Sequence, residues 1–112
     1  MTRILITGAA GMVGTALLTH LTGQPIFACD LRAPEALSDT VAFHRMDVTT
    51  SDPERVIAKI QPDVIVHLAS IVTPPKGSDR SFAYRVDVDG TRNVLNAALT
   101  HRVRRLVVTS SG

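Results

Sequence analysis

The sequence holds one cysteine, Cys29, in 112 residues. An internal disulfide is therefore impossible, and a small disulfide-stapled scaffold is excluded. No apolar stretch approaches the roughly 20 residues needed to span a bilayer. No basic-then-apolar leader precedes the first strand-like run. An excess of one charge is missing as well: twelve Lys and Arg stand against ten Asp and Glu, a net charge of +2. The only local cluster, Arg102, Arg104 and Arg105, reads as a solvated loop, so no nucleic-acid partner and no membrane partner are expected. Four histidines scattered over separate segments give no metal-ligand spacing, and no metal site is expected. Repeats and low-complexity tracts are absent. These absences leave a single soluble domain over residues 1–112, with a reducing cytoplasm as its expected setting.

What is present is a globular composition, 45% hydrophobic and 20% charged, arranged as short β-branched runs alternating with longer helix-compatible segments. That alternation indicates an α/β fold. Arg3 to Thr7 is apolar almost throughout, as suits a strand covered on both faces. Met12 to about Leu21 carries Val13, Ala16, Leu17 and Leu21 at helical spacing, and Gly23 with Pro25 stops that helix. Pro25 to Cys29 and Val41 to Met46 read as the second and third strands. Asp52-Pro53-Glu54 starts a helix with an oxygen at the cap, proline at the first position and an acid at the positive dipole end. Val64 to Leu68 is the fourth strand, Asp79 to His101 a long helix, and Leu106 to Thr109 the fifth strand. Crossovers of this length make the strands parallel, and right-handed crossovers give a Rossmann-like doubly wound sheet ordered 3-2-1-4-5. Ligands on such a sheet sit beyond the carboxyl ends of the strands, so the search narrows to the residues after each strand.

The first such place holds Thr7-Gly8-Ala9-Ala10-Gly11-Met12-Val13-Gly14. Three glycines at fixed offsets between a strand and a helix suit a pyrophosphate: Gly8 permits the turn, Gly11 lets the phosphate approach the backbone, and Gly14 lets the helix pack close. The amides of Met12 and Val13 are left to meet phosphate oxygens. No Gly-Lys-Ser/Thr ending follows, which disfavours a nucleoside triphosphate loop. Asp30 lies at about the 20-residue distance expected of the acid that binds an adenosine ribose diol. Its charge repels a 2′-phosphate and favours NAD over NADP, whereas Arg32 is a guanidinium that would swing over the adenine or attract such a phosphate. Asp47 and Val48 are placed to accept an adenine amino group and to pack on the ring; a solvated acid after a strand is the plainer alternative. His67, at the end of a buried strand, reads as a satisfied core histidine, and Cys29 as a small buried apolar residue.

These residues, with His67-Leu68-Ala69-Ser70, Asp87-Val88-Asp89-Gly90-Thr91-Arg92-Asn93-Val94-Leu95 and Val108-Thr109-Ser110-Ser111, follow one order. Together they resemble the extended short-chain dehydrogenase/reductases, specifically the NAD-dependent epimerase/dehydratase family of nucleotide-sugar enzymes. The resemblance implies that Leu68, Ala69 and Ser70 lie along the ribose and nicotinamide side of the cofactor, and that Ser111 is the catalytic hydroxyl that hydrogen-bonds the reacting oxygen of the substrate. Gly90, which costs a helix about 1 kcal/mol relative to Ala, fits a close contact. Asp87 stands where the family usually has Asn, and Ser70 where it has Ala. The family's Tyr-x-x-x-Lys acid/base pair has no counterpart here, since the only tyrosine is Tyr84 and the only lysines are Lys59 and Lys76. The resemblance therefore implies the cofactor half of an oxidoreductase, truncated after strand 5, inactive alone and without its substrate lobe. A dinucleotide sensor is the second reading. Pairing of two copies through the long helix at 79–101 is a further expectation.

Overall fold

The computed structural model describes residues 2–21, 23–34, 37–68 and 85–109. Five strands form one sheet: β1 (Ile4–Thr7), β2 (Ile26–Asp30), β3 (Val41–Arg45), β4 (Val64–His67) and β5 (Arg105–Val108). Every pairing is parallel and the order is β3-β2-β1-β4-β5, as the crossover lengths predict. The helices are α1 (Met12–His20), α2 (Asp52–Ile60) and α3 (Thr91–Thr100). Because all strands run one way, every strand-to-helix turn emerges at the same edge, and Thr7 is level with both Cys29 and His67.

Successive side chains of a strand point to opposite faces, and the two faces carry separate cores. Leu5, Cys29 and Ile65 join Val56, Ile57, Val94 and Ala97 on the side of α2 and α3. Ile6, Ala28 and Val66 join Leu17, Leu18 and Leu21 on the side of α1. The nearly continuous apolar runs of β1 and β4 are thus explained by helices on both faces. α2 starts where its sequence indicates, with Pro53 in the first turn and Asp52 and Glu54 beside it, but its N-cap is Ser51, which makes no side-chain cap bond, and Asp52 lies inside the first turn; the helix ends at Gln61 in a left-handed conformation.

The long helix differs from expectation. Residues 79–84 lie outside the described set, Arg85–Gly90 forms a wide π-type turn, and only Thr91–Thr100 is α-helical. The turn ends at Gly90, where a Cβ would stand 2.6 Å from Val48 Cγ2. The widened turn brings bare backbone against that side chain, a local departure of the kind found at functional sites. Strand 5 also begins one residue earlier than its apolar pattern, at Arg105. Among the described residues no helix is long and apolar enough to cross a membrane.

Cys29 is wholly buried. Burial, aided by the neighbouring Asp30 carboxylate, pushes its thiol up to about 12, so the reactive thiolate is scarce at neutral pH. A thiol reagent such as Ellman's reagent is expected to leave the folded chain unmodified over minutes and to react with one equivalent at once in denaturing urea. Rapid reaction of the folded chain would contradict this packing.

Candidate functional site

At the carboxyl edge of the sheet the glycine run turns from β1 into α1. Gly8 adopts φ +68, a left-handed conformation that favours glycine. Gly14 faces the turn so closely that a Cβ would lie 2.5 Å from Gly8 O and 2.7 Å from Ala9 Cα. Both obstacles are backbone, so a larger residue would push α1 off the sheet. Gly11 precedes α1 with extended backbone and no side-chain cap. Among the described residues the first-turn amides, those of Met12 and Val13 included, accordingly have no side-chain acceptor. Met12 and Val13 are 88% and 60% exposed, which leaves this positive helix end open to an anion.

Asp30 stands at the tip of the adjacent β2. Its Oδ2 accepts the Ala10 amide at 2.9 Å and its Oδ1 accepts the Leu31 amide at 2.7 Å. A second tie joins the same segments, Ala9 N–H to Cys29 O at 3.1 Å. The acid therefore orders the glycine turn while each carboxylate oxygen keeps a lone pair for another donor. Arg32 is exposed and makes no ion pair among the described residues, so its side chain is available to the same end of the site.

Beyond β3, Asp47 Oδ1 accepts both the Thr49 amide, at 3.0 Å, and the Thr49 hydroxyl, at 2.7 Å. Its Oδ2 accepts nothing from the described residues and is the free acceptor of this turn. Asp52 Oδ2 accepts the Asp47 amide at 3.0 Å; that bond is the main reason its carboxyl lies below the usual range. Val48, the residue expected to pack on an adenine ring, follows Asp47 in the same turn. It is only 7% exposed, because its side chain is seated against Gly90 in the core, so it offers a ring no more than an edge.

His67, at the end of β4, is 3% exposed. Its Nδ1 lies 2.7 Å from Thr7 Oγ1 and its Nε2 lies 3.0 Å from Thr91 Oγ1. Thr7 Oγ1 accepts the Leu68 amide at 3.0 Å. With the proton assigned to Nε2, a neutral ring accepts from Thr7 and donates to Thr91, satisfying both contacts. Burial lowers the His67 pKa below its ordinary 6.5, against an opposing pull from Asp87. The histidine is a satisfied structural link, as its place in the sequence implied. The Thr91 and Asn93 contacts were missed, although both residues lie in the Asp87 to Leu95 run. Ala69, Ser70 and Ser111 lie outside the described residues.

The site thus gathers Gly8, Gly11, Met12, Val13, Gly14, Asp30, Arg32, Asp47 and Leu68 along one edge. Two arginines of the basic cluster fall elsewhere: Arg104 and Arg105 line a cleft of about 340 Å³ with Thr2, Asp63 and Val64 at the opposite edge. Among the described residues no three His, Cys, Asp or Glu side chains are grouped to hold a metal ion.

The histidines generate a pH dependence with a definite sign. His67 and His44 both titrate below 6.5 when folded, chiefly through burial. The unfolded chain therefore takes up protons first as pH falls, and stability drops from about pH 6.5 downward. Asp52 adds a further loss only below its ordinary 3.8, as pH passes through its depressed folded value. Urea midpoints between pH 7.5 and 5 are expected to decrease, and to decrease less steeply in His67→Asn. An equal slope in that variant would refute the assignment.

Comparison with known proteins agrees with this geometry. Residues 4–112 match the NAD dependent epimerase/dehydratase family. The chain is 34% identical to UDP-glucose 4-epimerase of Mycolicibacterium smegmatis, covering 98% of this chain and 39% of that enzyme. Among solved structures, the Bordetella bronchiseptica enzyme WbmG in complex with NAD superposes with a TM-score of 0.83 at 30% identity, over 95% of this chain and 36% of that one. L-threonine dehydrogenase from Clostridium difficile superposes with a TM-score of 0.86 at 29% identity, over 99% and 37%. The chain therefore spans well under half the length of these relatives. With the strand order, the glycine turn and the matched residues in agreement, the chain belongs to the NAD-dependent epimerase/dehydratase family.

Proposed function

We propose that residues 1–112 form the dinucleotide-binding domain of an oxidoreductase that acts on a sugar nucleotide, with NAD preferred to NADP. One observation carries the reading: the Asp30 carboxylate is held by Ala10 N–H directly beside the open first turn of α1. An acid for a ribose diol and free amides for a pyrophosphate are thereby fixed at adjacent positions. Gly8, Gly11, Met12, Val13 and Gly14 would hold the phosphates. Asp30 would hold the adenosine ribose, with Arg32 flanking it, and Asp47 would accept the adenine amino group above the Val48 edge. Leu68, Ala69 and Ser70 are assigned to the ribose and nicotinamide side, and Ser111 to the reacting oxygen of the substrate. Bound NAD supplies a reversible hydride acceptor at its nicotinamide ring. The residues of this chain position it and keep a dry, close-packed backbone beneath it.

A sugar-nucleotide substrate is supported by two relatives, the Bordetella bronchiseptica enzyme WbmG, whose structure holds NAD and UDP, and the UDP-glucose 4-epimerase named above, a relative by sequence. The tyrosine and lysine that handle the substrate proton belong, in this reading, to the rest of a longer enzyme, ahead of its substrate lobe. Leu95 and Leu99, exposed one turn apart on α3, support pairing with a second copy through this helix.

Calorimetric titration tests the cofactor assignment. NAD is expected to release heat and to bind more tightly than NADP. Asp30→Asn, which keeps the shape but loses the charge, is expected to weaken NAD by about tenfold and to narrow the gap to NADP. No heat with either nucleotide, or an unchanged affinity in the variant, would refute the proposal.

A further inference from the structure

The first turn of α3 makes contacts that the dinucleotide reading leaves unused. Asn93 Nδ2 donates to Val48 O at 2.8 Å and to Thr50 O at 3.3 Å. One side-chain amide thus spans the two carbonyls that flank Thr49. Thr49 in turn donates both its amide and its hydroxyl to Asp47 Oδ1, which fixes the direction of the free Oδ2. Val48 is pinned from its other side by Gly90, with no space for a Cβ between them.

We propose that Asn93 is a positioning residue for nucleobase selection: it clamps the Asp47 to Thr50 turn so that Asp47 Oδ2 stands where a 6-amino group of the bound base donates to it. The proposal rests on the dinucleotide reading and deepens it, by naming what selects adenine over a 6-oxo purine. Asp47 is a pure acceptor when ionised, so it favours an exocyclic amine and repels a carbonyl oxygen. That selectivity requires a fixed carboxylate. A turn released from α3 lets Thr49 and the carboxylate rotate together, and binding persists through the phosphates and the ribose with little preference among bases.

The discriminating measurement is the ratio of affinities for NAD and for nicotinamide hypoxanthine dinucleotide, which differs only in carrying an oxo group for the amine. The chain is expected to prefer NAD by about tenfold, the worth of a charge-assisted hydrogen bond. Asp47→Asn is expected to erase the preference, since its amide can turn to donate. Asn93→Ala is expected to cut the ratio to about threefold or less, with Asn93→Asp, which keeps the size and loses the donors, as the second variant. Each is compared at matched folding, judged by circular dichroism and urea midpoint. A merely structural role would weaken both nucleotides equally and leave the ratio intact; that result, with Asp47→Asn still erasing the preference, overturns the role of Asn93 and spares the dinucleotide reading. A wild-type chain that binds NAD without any base preference, or an Asp47→Asn variant that keeps it, overturns the adenine assignment and this proposal together. Absence of NAD binding overturns the underlying reading as well.

Discussion

The close approach of α1 to the end of β1 is the constraint on which the rest of the site depends. A missing Cβ at Gly14 lets the helix rest on Gly8 O and Ala9, and Gly8 makes the turn by leaving the conformational region that other residues favour. Only with the helix this near does its positive end stand level with the tip of β2, within reach of Asp30. The Ala10 and Ala9 amides then bond to Asp30 and Cys29 O, so the turn is bound to the sheet on the side where a ligand would bring negative charge. An overpacked residue at position 14 would cost about 1–3 kcal/mol in strain. It would also move the amides that make the site.

From there a chain of polar contacts runs across the sheet edge. Thr7 meets His67, His67 meets Thr91, and Asn93 on the same helical turn reaches the Val48 and Thr50 carbonyls. Each bond lies at or near the carboxyl end of a strand, where parallel pairing has already brought the chain segments level. The buried His67 is tolerated because both ring nitrogens have partners while the ring stays neutral. The wide turn at Arg85–Gly90 and the closeness of Gly90 to Val48 complete this link between α3 and the turn after β3. The same helix thus braces the site from within while carrying Leu95 and Leu99 on its exposed surface.

Most of the architecture was legible in the sequence because it follows from short-range pattern. The continuous apolar run of β1 announced a strand covered on both sides, the β-branched run of β4 announced a strand, Pro53 and Asp52 announced the start of α2, and crossover length gave parallel order. The glycine turn and Asp30 were legible because their spacing encodes one local geometry. What the sequence concealed depends on tertiary contact. The π-type turn before Thr91 ends where Gly90 meets Val48, residues far apart along the chain. The burial of Val48 depends on the same tertiary contact. Asn93 carried no local signal for a clamp, since its acceptors are carbonyls on another element. The expectations at Ala69, Ser70 and Ser111 rest on family resemblance, and these residues lie outside the described structure.

The central claim is that one edge of the sheet, built around the glycine turn and Asp30, receives the dinucleotide. Titration of the isotopically labelled chain with NAD, followed by amide resonances in two-dimensional NMR, tests it residue by residue. The account predicts shifts at Gly11, Met12, Val13 and Leu31 and at the Asp47 to Thr50 turn, with Asp63, Val64 and Arg104 at the opposite edge unmoved. Shifts confined to that opposite edge, or none at all at saturating NAD, would contradict it.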